Sequence, residues 1–544
     1  MILKAITIEN FKGIREPVRV ELKPVTLLFG ANSAGKSTVV QALHYAQEIF
    51  ERHNVDPGRT LIGGEAIELG GFDAIVHGQD RRRSIRLGFE LDMDGQDLPG
   101  YRLEYVTSYS DIEPAPVEPL KTAFVEVQVA WSDSRQRPIL NEYSVSLNGQ
   151  LIARLTASMD LRQIEVSALN VNHHVFDQAN AVPTEEDIAD AERVGDAFEP
   201  FDPDLADEDE NELGLLASLV LNENFIEGPG LVKFGLLGQQ DALPNWGRPL
   251  DIQPEAFGTD VDSPQQREFI ETVSDLIVGP GELLRDALRT FRYVGPLREV
   301  PSRNYGFERS PDESRWARGL GAWDLLSRAT PGLIDQLNDW LGREDRLNTG
   351  YQVNRKQYKE LDLDAPIMHA LSQGRMLDED IPLGEMLSAL PTHTRLYLRE
   401  ENNGIEVLPQ DVGVGISQLI PVIVAALASR GIVAIEQPEL HIHPAWQVIL
   451  GDLFLSQAKE RDVLFLLETH SEHLMLRLLK RIRETHEGEL PPGVPGVTPD
   501  DVAVLYVESR QGGAKLTPLS ITDSGDFSGT WPRGFFDERA KELF

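Results

Sequence analysis

Residues 25–38, VTLLFGANSAGKST, constrain this chain more than any other stretch. An apolar run of strand length ends at Gly30, a small-residue loop follows, and STVVQALHYAQEIFERH then carries one apolar helical face. Gly30, Gly35, Lys36 and Ser37 fit the pattern G-x-x-x-x-G-K-S/T. A buried strand feeding a helix through such a loop predicts an α/β core. The glycines let backbone N–H groups turn toward phosphate oxygens, and the helix N-terminus adds partial positive charge. Lys36 is expected to bridge the β- and γ-phosphates of ATP, and Ser37 to offer its hydroxyl to Mg²⁺. Gly30 to Thr38, including Asn32, Ser33 and Ala34, is therefore expected to cradle the nucleotide.

A phosphate loop needs an acid on a neighbouring strand. GIVAIEQPELHIHP supplies Glu436 at the end of four apolar residues, the expected second Mg²⁺ ligand. A second apolar strand, VLFLLETHSEH, ends at Thr469-His470-Ser471, where His470 is expected to reach the γ-phosphate. Upstream, DVGVGISQLIPVIVAAL opens an apolar helix with Gly413, Gly415 and Ser417. That is a second anion-binding helix terminus. One nucleotide does not need two, whereas two copies packed head to tail would use the second to close each other's site.

With 544 residues the chain exceeds one ordinary domain. The expected division is 1–171, a first ATPase lobe with an antiparallel β-subdomain; 172–263, an acidic insertion, partly disordered; 264–394, a helical subdomain and connector; 395–490, a second ATPase lobe; and 491–544, a small C-terminal domain. Period-2 runs between 84 and 171, with Asn148-Gly149 as a two-residue turn, predict the antiparallel sheet. A helix is expected from about Pro264 to Phe291, broken at Gly279-Pro280-Gly281.

Composition sets outer bounds. The chain has no cysteine, which excludes thiolate metal sites and suits a reducing cytoplasm. No window approaches the roughly 18 apolar residues of a membrane span, so no membrane is expected. The net charge of −37 repels nucleic acid at long range, and part of it is local: residues 185–212 hold fourteen acids against Arg193 alone. Contact with DNA would need focused basic patches. Candidates are Arg81-Arg82-Arg83 with Arg86, Arg298 and Arg303 in the connector, and Arg477, Lys480, Arg481 and Arg483 on one helix. Each is equally read as a solvated face or an internal ion pair. His441 and His443 form an H-x-H without an evident third metal ligand.

In their order these motifs resemble the ABC-type ATPase heads of the SMC and overcoming-lysogenisation-defect groups. They are most similar to AAA-family bacterial ATPases ending in a short domain of unknown function, as found in anti-phage defence systems. The likeness covers residues 1 to about 90 and 290 to 544, and YVGPLREVPSRNY and WPRGFFDERAKEL look like that subgroup in particular. It implies an ABC-type P-loop head, a mixed sheet with flanking helices. MILKAITIENFKG resembles the opening strand, and Lys12 joins the nucleotide-contacting set by that resemblance. It further implies a homodimer or higher oligomer with composite ATP sites, in which Ser417 and the Gly413/Gly415 loop of one subunit close on the other's γ-phosphate. His441 and His443 become contacts across that dimer.

Two departures matter. Many such heads carry Asp-Glu at the end of the acidic strand; here Glu436-Gln437 stands there, and an amide takes no proton from water. Loss of a general base costs about 10²–10⁴ in rate. Glu439 serves as base instead, or hydrolysis is slow, or a partner completes the site. Secondly, the overcoming-lysogenisation-defect group carries a Toprim nuclease domain. VAVLYVES resembles its first strand with Glu508, but Asp523 and Asp526 lack the D-x-D spacing. Any cleavage is then expected from a separate effector. Three functions follow: a slow ATPase regulating an effector nuclease in defence or DNA maintenance, a non-hydrolysing ATP-dependent scaffold, and a DNA-binding repair head.

Overall fold

The computed structural model describes residues 3–31, 34–60, 68–100, 119–176, 212–225, 230–258, 263–303, 305–308, 313–364, 368, 388, 390–510 and 513–529. Asn32 and Ser33, the acidic run through 211 and the tail motif from Trp531 lie outside them. The chain forms two compact units, 1–291 with 503–519 and 532–544, and 292–502 with 520–531.

The first unit holds an antiparallel sheet of β1 (Leu3–Glu9), β2 (Val18–Glu21), β4 (Ile85–Asp92), β5 (Thr122–Ser132), β6 (Arg137–Leu147), β7 (Gln150–Ala157), β8 (Ile164–Asn170) and β9 (Leu231–Gly235), in the order β2-β1-β4-β5-β6-β7-β8-β9. Alternation sets its register. Ala123, Val125, Val127 and Val129 of β5 pair with Leu91, Phe89, Leu87 and Ile85 of β4, and all eight are buried. Each buried Val or Leu contributes about 1.5–3 kcal/mol, so a one-residue slip that exposed this face would be prohibitive. Asn148 and Gly149 turn β6 into β7 with φ of 46° and 85°. The sheet extends past the expected subdomain, since the opening strand β1 is one of its members.

Also in this unit, β3 (Val25–Gly30) is wholly buried and leads into α1 (Ser37–Arg52). The helix α2 (Pro264–Arg289) runs unbroken through Gly279-Pro280-Gly281, contrary to the expected break. Tertiary packing overrides the local signal there. The Tyr143 hydroxyl donates to the carbonyl of Ile277 at 2.7 Å, supplying a donor where the proline disrupts the ladder. Gly281 is required by the same contact, because a Cβ would sit 2.6 Å from that hydroxyl and 2.7 Å from the Trp246 ring.

In the second unit β10 (Arg292–Val294), β14 (Gly431–Glu436) and β15 (Val463–Glu468) are parallel neighbours, β14 in the middle. The continuous apolar runs of β14 and β15 suit strands covered on both faces. A separate antiparallel sheet joins β11 (Tyr351–Lys359), β12 (Thr392–Glu400) and β13 (Glu406–Val407). Around them lie α3 (Val414–Ala428), α4 (Pro444–Arg461) and α5 (Glu472–Glu487). Among the described residues no helix is long and apolar enough to cross a membrane.

Candidate functional site

In the first unit the loop after β3 is shaped by what surrounds it. Gly30 has φ +154°, and a Cβ there would meet the carbonyl oxygen of Val507 at 2.1 Å. Gly35 has φ +101° and lies against Ala514, whose Cβ would be 3.1 Å from its own. Ala34 N–H closes a turn on the Ala31 carbonyl at 3.2 Å. Lys36 is 4% exposed, and its ammonium donates to the carbonyls of Gly30 at 3.1 Å and Ala31 at 3.0 Å. No side chain caps the first turn of α1, where the N–H groups of Thr38 and Val39 bond back to the carbonyls of Gly35 at 3.1 Å and Lys36 at 3.3 Å.

Ala514 also brings Lys12 to this loop. Its N–H donates to the Gly13 carbonyl at 2.6 Å, and Gly13 packs on its methyl. Lys12 itself sits at φ +48°, its N–H bonded to Ile75 O and its carbonyl accepting from His77 Nδ1. Burial lowers its ammonium below the ordinary lysine range. No local pattern marks Ala514, because its role depends on the fold.

In the second unit the expected acids and histidine meet at the C-terminal ends of β14 and β15. Glu436 and Glu468 are paired in register. The chain then turns at Gln437, with φ +45°, and its N–H donates to Glu468 O at 2.7 Å. Glu439 reaches back across that turn: its two carboxylate oxygens accept from Thr469 Oγ1 at 2.8 Å and His470 N at 2.7 Å. Burial raises Glu439 above the usual carboxylate range, opposed by those bonds and by Arg298. The Tyr293 hydroxyl is kept un-ionised by burial and by Glu436, to which it hydrogen-bonds.

Beneath the turn lies Arg298, 3% exposed. Its Nη2 donates to the carbonyls of Glu436 at 2.8 Å and Gln437 at 3.0 Å. Burial pushes its guanidinium down to about 10 against the pull of Glu439. Arg298 is therefore an internal residue and not a basic surface patch.

The start of α3 is exposed at Gly413 and Val414, whereas Ser417 is 3% exposed and its hydroxyl donates to Val414 O at 3.0 Å. What this terminus presents outward is its first backbone turn. Gly415 abuts the His441 carbonyl, where a Cβ would come within 2.9 Å. The His443 ring accepts from Ala445 N–H and caps α4, and among the described residues no cluster of three metal-ligating side chains occurs.

The other basic clusters are engaged internally. Arg81 pairs with Asp73, Arg82 and Arg83 with Asp80, Arg86 with Glu9, and Arg303 with Asp411. Asp452 receives both Arg477 and Arg481, Lys480 pairs with Glu484, and Arg483 with Asp526. Glu508 is buried and paired with Arg510.

Comparison with known proteins agrees with these motifs. Residues 1–73 match the model described as "AAA ATPase domain", 277–476 match "AAA domain, putative AbiEii toxin, Type IV TA system", and 497–544 match "Protein of unknown function (DUF3696)". No curated protein matches. Among solved structures, an SMC head bound to the C-winged helix domain of ScpA is 9% identical, covering 95% of this chain and 98% of that one, with a TM-score of 0.37. The SMC head domain from Thermotoga maritima is 9% identical, covering 96% and 100%, at 0.35. An SMC head with an extended coiled coil, bound to the C-terminal domain of ScpA and derived from Pyrococcus furiosus, is 11% identical, covering 99% and 98%, at 0.37. Likenesses this loose carry no argument. The family matches do: residues 1–73 and 277–476 each match an AAA-family ATPase domain, and 497–544 match DUF3696.

Proposed function

We propose that this protein binds ATP·Mg²⁺ on the Gly30–Thr38 loop and hydrolyses it slowly, as one half of a composite site completed by the α3 start of a second copy. The observation that carries this reading is the loop itself. Two positive-φ glycines, a buried lysine folded onto loop carbonyls and an uncapped helix start make a cradle fitted to phosphate oxygens and to little else. Lys36, Ser37, Thr38 and the backbone N–H groups would hold the phosphates, with Lys12 nearby. Ser37 and Glu436 would hold Mg²⁺, which when bound neutralises charge on the phosphates.

Gln437 cannot act as a base. Its left-handed turn instead presents Glu439, whose raised pKa suits proton acceptance nearer neutral pH and whose carboxylate is tied to His470. This supports Glu439 as general base, with His470 positioned through it to report on the γ-phosphate. Exposed Gly413 and half-buried Gly415 supply the helix terminus for the other copy's nucleotide. The toxin–antitoxin description attached to residues 277–476 supports a regulatory role toward a separate effector, such as a nuclease, in defence or DNA maintenance. The engagement of the arginine clusters in internal ion pairs, with the charge of −37, disfavours duplex DNA as the main partner.

Sedimentation velocity of the full chain tests the composite site. ATP·Mg²⁺ with Glu439→Gln is expected to shift the monomer to a dimer, and ADP is not. A monomer under every nucleotide condition would overturn the composite-site reading.

A further inference from the structure

Arg298 joins three segments that the sequence places far apart. Its backbone is clasped by the Gln418 side chain of α3: Arg298 N–H donates to Gln418 Oε1 at 3.3 Å, and Gln418 Nε2 donates to Arg298 O at 2.5 Å. Gln418 is only 7% exposed, one residue beyond Ser417. From the same residue the guanidinium reaches the carbonyls of Glu436 and Gln437, on either side of the peptide where the left-handed turn begins. Gly319, at φ +77°, allows the approach, since a Cβ there would stand 2.9 Å from Arg298 Cβ.

This clamp is held by one nitrogen only. Nε and Nη1 of Arg298 are buried and, among the described residues, make no hydrogen bond. Buried donors of a charged group are seldom left so, because each carries its full desolvation cost. An arrangement in which the turn moves and offers them an acceptor is therefore within reach, and Glu439 is the neighbouring carboxylate whose field already acts on this guanidinium. A second packing of this turn, also governed by Arg298, would make it the element that a coupling mechanism requires.

We propose that Arg298, gripped through Gln418, is the positioning residue that couples contact at the exposed start of α3 to the Glu436–Glu439 turn. The path is continuous: Gln418, the Arg298 backbone, its guanidinium, the Gln437 carbonyl, Glu439 and then Thr469 and His470. When a second copy's nucleotide engages Gly413–Gly415, the first turn of α3 is pinned, Gln418 shifts with it, and the turn carrying Glu439 is reset. The signal is thus passed through the interior of one subunit. The proposal rests on the composite-site reading for what touches α3, but the internal relay exists without it.

Hydrogen–deuterium exchange on the full-length, nucleotide-free chain tests the relay directly. Gln418→Ala is expected to raise exchange at Glu436–His441 about tenfold, although the Gln418 side chain bonds to the Arg298 backbone and not to that turn. Arg298→Lys, which keeps the charge and loses the fork, is expected to do the same, and the double variant is expected to add little. Circular dichroism checks that each variant is folded. A rise confined to 413–420 in Gln418→Ala, or a double variant whose effects multiply, overturns the relay. A second arm measures ATP turnover against protein concentration: Gln418→Ala should retain the ATP Kd within about twofold yet lose the rise in turnover with concentration. If the unmodified chain shows no such rise, the composite site fails, and the exchange result still decides the relay.

Discussion

Glu439→Gln separates a catalytic carboxylate from a structural one, because the geometry allows the amide to replace it with little strain. Glu439 Oε1 accepts from the His470 N–H, so the amide oxygen must occupy that position. The amide nitrogen then faces Thr469 Oγ1, which already accepts from Ser471 N–H and can accept again by turning its own hydrogen away. The buried Thr469 hydroxyl then gives up its acceptor and the buried Arg298 loses the pull of the carboxylate, so stability should fall by about 1–3 kcal/mol with the fold retained. Turnover should nevertheless fall by about 10²–10⁴, the usual loss on removing a general base. The assay is steady-state phosphate release at saturating ATP, beside a urea unfolding curve. In the parent, activity should decline as pH drops through the Glu439 pKa, at a pH above that of an ordinary glutamate, because burial has raised it. Glu439→Gln that retains turnover within about fivefold, while Gln437→Ala loses most of it, would refute this reasoning.

Other consequences concern the scaffold. Asp452→Ala removes the carboxylate that Arg477 and Arg481 share, leaving Arg481, 4% exposed, with Glu484 alone, and should cost about 1–3 kcal/mol in urea unfolding. Burial pushes the Asp452 carboxyl up, but hydrogen bonds from Arg481 and Arg477 outweigh it and hold it below its ordinary value. Its stabilisation is therefore full above the unfolded pKa and lost as pH falls through the folded one, and Asp452→Asn should flatten the acid limb of a stability–pH curve. Tyr143→Phe removes the donor at the α2 proline and should cost about 1–3 kcal/mol. Gly30→Ala, whose methyl would collide with the Val507 carbonyl, should lower thermal stability even without nucleotide.

Much of this was legible beforehand for a physical reason. Strongly periodic segments carry their own answer: β4–β8 alternate, β14 and β15 are continuously apolar, and Asn148-Gly149 accepts no common alternative to a tight turn. The phosphate loop was equally plain, since its glycines, lysine and serine are adjacent in sequence. β11, YQVNRKQYK, escaped notice because its outward face is as polar as a loop, and only Val353 is fully buried. Gly279-Pro280-Gly281 misled because the Tyr143 hydroxyl that repairs the helix comes from another strand. Likewise, the clasp of Gln418 on Arg298 spans 120 residues, and no local pattern encodes it. The fold forms that clasp, so its purpose became visible only with three segments in view.

Isothermal titration of ATP·Mg²⁺ into the full chain tests the central claim most directly. One ATP should bind per chain, and Lys36→Ala should weaken it by about 10²-fold, since a lost charge-assisted hydrogen bond costs about 1.5–3 kcal/mol. Equal affinity in the parent and in Lys36→Ala, or no heat of binding in either, would contradict the account.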